Sequence, residues 1–425
     1  MKILFLVDYM LPKATTNAIC VKNIAKKMVN DGNNVFICSY GNKKFDGLNE
    51  EEMNIFFVRP SLSRIFLNKS LECKNLILSK VYNYIGKFLN RLSRIIFFPL
   101  YPIVSYNFSR RWSNKITKLV KKYDIECIIS TAAPNDSIYA GYLCKKKNPN
   151  LIWIPYYLDS GSNLLPGSSF ETIKKYLQKK YQKWENKVFS YADGIIIMVG
   201  HESYYRQILS NKIFEKVYIS NVPLFTDFVD DSINKFSEPN KHNEIWMYAG
   251  SMRGSYYDPH TIIDFFNLYN SKNNNSFLKL FGSTDQQSYI KNCCMNGRIK
   301  WYGNVNHDIL NNEYLNADIL VYYINGSLDS VSGKFFEYIK YGKIIIYVGD
   351  SNDINANLVK QYDKGIVVPK IDDSNMNELL LKISKLKIKL IDKDKLLKKF
   401  ELSTPEYTKN IINKIVKEKR NEINK

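Results

Sequence analysis

Two series of short, nearly continuous apolar runs, each run followed by a segment of helical periodicity, constrain this chain more than any other feature. The first series occupies 3–7, 35–40, 55–58, 125–130, 151–156, 195–199 and 217–220. The second occupies 245–249, 277–281, 299–302, 319–323, 344–348 and 366–368. Runs of Ile, Val, Leu and Phe without polar alternation suit strands covered on both faces, and their alternation with helices is the signature of parallel α/β sheets. After the first run, Val21, Ile24, Ala25 and Met28 recur at helical spacing, and the pattern stops at Asp31 and Gly32. A polar stretch over 230–243 separates the two series and reads as a linker. The expectation is two Rossmann-like, doubly wound parallel-sheet domains, 1–225 and 244–400, facing a central cleft. Helical segments are expected over 260–269, over the Lys-rich 379–399 and over 406–417. The last begins after Pro405, and the 405–425 segment can return to the first domain. A chain of 425 residues is long enough for both domains.

Several function classes recede on composition. Asp8 interrupts the N-terminal apolar run, and no small-residue cleavage site follows, so the run reads as a strand and not as a targeting segment. No apolar run approaches the roughly 20 residues needed to cross a bilayer. The candidate over 95–104 carries Pro99 and Pro102. Seven cysteines without a C-x-x-C pair suit a reducing cytosol, and four scattered histidines show no zinc-ligand spacing. The net charge of +20 reflects either an anionic partner or a composition rich in Lys, Asn and Ile. Its distribution is uneven. Between 61 and 122 thirteen Lys and Arg residues accompany a single acid, Glu72, and apolar residues interleave with them. Such a mixture suits an anionic membrane surface or a lipid diphosphate, whereas no nucleic-acid module accompanies it. A solvated helical face is the plainer account of the same residues.

The chemistry concentrates in 329–348. Asp329 and Glu337 are separated by seven residues, and Ser332, Gly333 and Lys334 open a helix between them. A helix start leaves N–H groups without intrahelical partners, Gly333 allows close backbone approach, and Lys334 brings a point charge, all suited to a diphosphate. Glu337 lies between Phe336 and Tyr338 on a helix flanked by buried strands, an expensive place for an idle carboxylate. Two vicinal ribose hydroxyls are suitable partners for it. A surface ion pair between Lys334 and Glu337, with Ser332 as an ordinary N-cap, explains the same residues without a ligand.

In order and spacing these segments resemble the donor-binding domain of retaining, two-domain glycosyltransferases of the GT-B fold, in particular glycosyltransferase family 4. The segment 329–337 resembles the family's E-x7-E region, and 245–251 resembles its first donor-domain strand and glycine loop. The segments 278–282, 299–305, 317–321 and 342–345 resemble the strands that follow, and 1–39 resembles the family's opening strand–helix–strand. The resemblance implies that Glu337 holds a ribose and Asp329 a hydroxyl of the transferred sugar. It further implies that Lys334, the N–H groups of 332–334 and the Gly250–Ser251 loop face the diphosphate. Arg253 is the best second cation.

The departures are specific. Asp329 is shorter than the usual Glu, while Ser251 and Tyr256 stand where the family commonly has Arg and Lys. The usual glycine pair after the first strand is replaced by 12–17, where a helix start near Thr15–Asn17 can still face a phosphate. The segment 130–136 carries no counterpart of the family's histidine. Asp159, Asp136 and Asn17 are acceptor-side candidates, and either aspartate can equally be a helix or turn cap. Asp392 and Asp394 match a D-x-D metal motif, but Lys393, Lys395, Lys398 and Lys399 oppose the charge a Mg²⁺ site needs, so no metal and no cofactor are expected.

The expected function is transfer of a sugar, with retention, from a UDP- or GDP-sugar to a lipid-linked or polysaccharide acceptor in cell-surface glycan biosynthesis, such as capsule or O-antigen. The expected location is cytoplasmic, peripheral on the inner face of the plasma membrane through 61–122. A sugar-nucleotide epimerase of the same fold and a non-catalytic binding partner are the alternatives.

Overall fold

The structure, a computed structural model, describes residues 1–10, 14–41, 46–73, 75–103, 105–132, 135–158, 171–229, 243–326, 331–369 and 372–423. It divides into two compact units, 1–224 with 402–425, and 225–401.

The first unit is built on β1 (Lys2–Leu6), β2 (Asn34–Tyr40), β3 (Leu48–Glu50), β4 (Met53–Val58), β5 (Cys127–Thr131), β6 (Ile152–Tyr157), β7 (Ile195–Met198) and β8 (Val217–Ser220). They form one sheet in the order β3-β4-β2-β1-β5-β6-β7-β8, parallel except for the β3–β4 pair. Helices α1 (Thr16–Asn30), α2 (Leu62–Glu72), α3 (Leu76–Ile96), α4 (Tyr106–Tyr123), α5 (Asn135–Lys147), α6 (Glu171–Phe189), α7 (Glu202–Ile208) and α8 (Asn211–Phe214) connect them. Successive strand residues point to opposite faces. Ile3, Phe5 and Val7 therefore join one core layer with Val21, Ile24 and Met28 of α1, while Leu4 and Leu6 join the other with Trp112 and Ile116 of α4. Covered on both faces, the strands need no polar alternation.

The second unit carries β9 (Glu244–Ala249), β10 (Ser276–Phe281), β11 (Ile299–Gly303), β12 (Ile319–Tyr323), β13 (Ile344–Val348) and β14 (Gly365–Val368). Its sheet is parallel throughout, in the order β11-β10-β9-β12-β13-β14. Its helices are α9 (Pro259–Asn273), α10 (Gln287–Cys293), α11 (His307–Asn316), α12 (Gly333–Tyr338), α13 (Ile354–Lys360), α14 (Met376–Lys387) and α15 (Lys393–Lys399). The single helix expected over 379–399 is two. The chain leaves helix over 388–392, and Asp392 restarts it as the N-cap of α15 by accepting from the Lys395 N–H at 3.0 Å. That capping role is the structural use of the D-x-D aspartate.

Helix α16 (Pro405–Ile423) belongs to the first unit. Ile411, Ile412, Ile415 and Val416 pack in the α1 layer, and Lys409 pairs with Asp31 at 2.5 Å. No helix among the described residues is long and apolar enough to cross a membrane.

Glu185 on α6 is fully buried and accepts from Tyr205 Oη at 3.0 Å and Tyr204 Oη at 3.4 Å. Burial pushes its carboxyl up to about 8, so the folded chain holds a proton at neutral pH that the unfolded chain has released. Its contribution to stability is complete below the unfolded value near 4.5 and is lost as pH rises towards 8. Glu185→Gln keeps an acceptor for Tyr205 and removes this loss. The variant is expected to melt at least about 2 °C above the parent at pH 8 and to converge with it at pH 5, measured by circular dichroism at both pH values.

Candidate functional site

In an open parallel sheet, ligands bind beyond the carboxyl ends of the strands where the strand order reverses. In the second unit the reversal falls between β9 and β12, since the chain builds outwards through β10 and β11 and then returns to build through β13 and β14. Gly250 follows β9, and α12 follows β12, so this crevice brings together the glycine loop and the lysine-bearing helix.

The two elements touch through Gly250 and Lys334. A Cβ at Gly250 would overlap Lys334 Cε, lie 2.7 Å from its Nζ and lie 3.2 Å from Tyr248 Oη. The ammonium sits 5.0 Å from the Tyr248 ring centroid and 4.8 Å from that of Tyr257, a cation held between two aromatic rings. Burial lowers the Lys334 pKa to about 8, and the Glu337 carboxylate, one turn along the helix, partly offsets this. The same carboxylate favours the charged form of Lys340, whose pKa burial lowers, and helps burial raise the Tyr314, Tyr338 and Tyr341 phenols.

The surrounding backbone is fixed. Tyr338 Oη accepts from the Ala249 N–H at 3.1 Å, which ties α12 to β9. A Cβ at Gly282 would overlap the Gly250 carbonyl, so the loops after β9 and β10 approach as only glycine permits. Tyr248 Oη donates to the Ser251 carbonyl at 2.8 Å. Asn325 anchors the loop that follows, its N–H to Tyr256 O at 2.9 Å and its Nδ2 to Ser255 O at 3.1 Å.

Of the N–H groups expected to face an anion, two are already partnered. Ser332 N–H donates to Asn355 Oδ1 at 2.7 Å, and Lys334 N–H donates to Ser332 Oγ at 3.4 Å. Ser332 is thus an N-cap. Arg253 lies exposed beyond Gly250 and Ser251, without an ion pair to any described residue. Asp329 and Asp159 lie outside the described residues.

The first unit has its own reversal, between β1 and β5. Beyond β1, Asp8 accepts from Thr15 Oγ1, and burial pushes its carboxyl up to about 6. Arg64 on α2 donates to Tyr40 Oη and lies 4.5 Å over that ring, and its charge acts on both Asp8 and Asp136. Asp136, in the first turn of α5, is buried and accepts from Ser109 Oγ at 2.8 Å. Asn17 Nδ2 donates to Ala132 O at 3.4 Å. Asp8 and Arg64 were not singled out from the sequence as site residues. A carboxylate directly after the first strand of such a sheet was the available signal.

No family model matches this sequence, and no curated protein matches it. Solved structures do match it over nearly its whole length. Sucrose-phosphate synthase from Thermosynechococcus elongatus superposes with a TM-score of 0.59 at 14% identity, over 98% of each chain. HepE from Anabaena, in complex with UDP, gives 0.55 at 13% identity over 100% of both. The chain has the GT-B fold. WaaG, a glycosyltransferase involved in lipopolysaccharide biosynthesis, shares the GT-B fold with it at a TM-score of 0.53 and 11% identity, over 96% of this chain and 99% of that one.

Proposed function

We propose that this GT-B chain is a glycosyltransferase that takes its sugar from a nucleoside-diphosphate sugar bound at the β9–β12 reversal. The Lys334 ammonium, held between Tyr248 and Tyr257 over the space that Gly250 leaves open, is the observation that carries the reading. As the sugar–phosphate bond breaks, negative charge grows on the leaving diphosphate. A fixed cation in a poorly solvated site stabilises that charge more than it stabilises the bound donor. In this reading, which here rests on the family resemblance, Glu337 holds the ribose, Arg253 supplies a second cation and Asp329 binds a hydroxyl of the transferred sugar. UDP or GDP donors, retention of configuration and a metal-independent reaction belong to the same reading and rest on the family resemblance.

The acceptor is proposed to be lipid-linked or a polysaccharide of the cell surface, such as capsule or O-antigen. The enzyme then works in the cytoplasm, peripherally on the inner face of the plasma membrane. The exposed apolar residues among the Lys and Arg of 61–122 support the membrane location, and the likeness to WaaG, a glycosyltransferase involved in lipopolysaccharide biosynthesis, supports the cell-surface acceptor.

A thermal-shift panel of UDP, GDP, ADP and dTDP with their sugars tests the donor site. One base series is expected to raise the melting midpoint by about 5 °C at a hundredfold excess over Kd. No shift with any of them would overturn the reading. Incubation with donor alone separates the epimerase alternative, which converts the sugar without an acceptor.

A further inference from the structure

Helix α3 presents two opposite faces. Along one, Gly86 packs so closely on Leu67 of α2 that a Cβ there would meet the Leu67 backbone nitrogen at 3.0 Å. Along the second, Ile77, Val81, Tyr84, Phe88, Leu92 and Ile95 form a single exposed stripe, with Ile77, Tyr84 and Ile95 more than 70% exposed. Lys80, Lys87, Arg91 and Arg94 flank it. An apolar stripe bordered by cations is the pattern of a helix lying in the plane of an anionic membrane surface. On the same side as Gly86, Asn90, Ser93 and Arg94, with Phe97 just past the helix, line a cavity of about 530 Å³ in the first unit, whose wall also includes Leu67.

The cavity is graded in chemistry. Tyr101 lines it, and among the described residues its buried hydroxyl has no hydrogen-bond partner. Burial pushes that phenol up to about 12, the charge of Arg94 acts in the opposite direction, and Arg94 lines the same cavity. Arg94 itself forms no ion pair with a described residue. A hydroxyl and a guanidinium that line one cavity, neither paired with a described residue, are two donors for an anion. Elsewhere the wall carries Asn135 and Asp136, acceptors suited to hydroxyl groups, while Leu67, Phe98 and Leu177 supply apolar surface.

We propose that this cavity receives the head of a lipid-linked acceptor, with its phosphate on Arg94 and Tyr101, its hydroxyls towards Asn135 and Asp136, and its hydrocarbon chain in the membrane on which α3 lies. The proposal deepens the glycosyltransferase reading and rests on it. One helix both docks on the membrane and walls the cavity, so a molecule anchored in that membrane presents its phosphate where Arg94 leaves the stripe.

The test uses the full chain with two probes. Farnesyl phosphate in solution reports the cavity, and phosphatidylcholine vesicles with or without phosphatidylglycerol report docking. Tyr101→Phe keeps the ring and removes the donor, so it is expected to weaken farnesyl phosphate about tenfold. Arg94→Gln should weaken it further, and farnesol should bind no better than it does to either variant. Phe88→Ser with Ile95→Ser should lose binding to phosphatidylglycerol vesicles and keep farnesyl phosphate affinity. Equal affinity of parent and Tyr101→Phe for farnesyl phosphate would overturn the proposal, as would farnesol binding as tightly as its phosphate. Loss of farnesyl phosphate binding in the double Ser variant would assign the phosphate to the stripe and overturn it also. A chain that shifts with a nucleotide yet ignores farnesyl phosphate refutes this proposal alone. One that ignores both refutes the glycosyltransferase reading beneath it.

Discussion

Lys334→Ala should reduce kcat/KM for sugar transfer by at least about a hundredfold while the parallel sheet of the second unit stays folded. The ammonium combines positive charge, enclosure and fixed position, lying 4.8 and 5.0 Å from two aromatic centroids. Removing one preorganised charge from a site where charge develops costs about 2–4 kcal/mol in comparable settings, or two to three orders of magnitude in rate. Arginine should not restore activity, because its planar guanidinium is larger than the space between Tyr248, Tyr257 and Gly250. The pKa near 8 supplies a second readout that a merely structural lysine would not give. At pH 8 about half of the free protein carries a neutral Lys334. A bound diphosphate favours the ammonium and raises that value, so binding takes up about half a proton at pH 8 and almost none at pH 6. Titration calorimetry in two buffers of different ionisation enthalpy measures the uptake. Lys334→Ala should abolish it in whatever nucleotide binding remains. Uptake equal to that of the parent would assign the proton to another group and sink the role given to Lys334.

The sheets were legible because their strands are buried on both faces, so sequences such as 344–348 and 195–198 read as unbroken apolar runs. Edge strands β8 and β11 are only partly buried, and β3, a three-residue antiparallel edge strand whose Leu48 and Asn49 are exposed, carries no such run. The expected 379–399 helix failed for a different reason. No Pro or Gly marks the break at 388–392, where Ile388 and Leu390 are largely exposed and contribute apolar periodicity without a core to face. In the crevice, the sequence placed Gly250 and Lys334 in one neighbourhood through strand order, but their mutual fit depends on side-chain geometry across 84 positions. Tyr248 was available as a signal, because it lies two residues before Gly250 and so shares its strand face. Tyr257 was not, since it reaches the site through a loop anchored by Asn325. The two faces of α3 were blurred in the sequence for a related reason. Its packing, docking and cavity residues are all partly apolar, and only the packing partners separate them.

Gly250→Ala is expected to remove the nucleotide-induced thermal shift and to lower transfer by more than about a hundredfold, as Lys334→Ala does, although it deletes no functional group. At a φ of +155° the backbone is in a region that L side chains rarely adopt. The added methyl would occupy the space of Lys334 Cε and crowd Tyr248 Oη at 3.2 Å. The Gly250 backbone cannot retreat freely, since its carbonyl already packs where a Gly282 Cβ would be and its N–H donates to Phe281 O at 2.9 Å. Lys334 has the flexible side chain and therefore gives way, leaving the space between Tyr248 and Tyr257. A backbone penalty of roughly 1–3 kcal/mol also lowers the stability of the unit, so the comparison needs a control with similar strain and no such neighbour. Gly297, at a φ of +72° with nothing within 4 Å of an added Cβ, provides it. Gly297→Ala should lower the melting midpoint by a few degrees and leave the nucleotide shift intact. The decisive measurement is the double variant. If Gly250 acts through the lysine, Gly250→Ala in a Lys334→Ala background costs no further transfer activity, because the group that the methyl displaces is already gone. Additive losses would mean that Gly250 supports the site by a route independent of Lys334, and the fit between loop and helix would then not be what holds the charge in place.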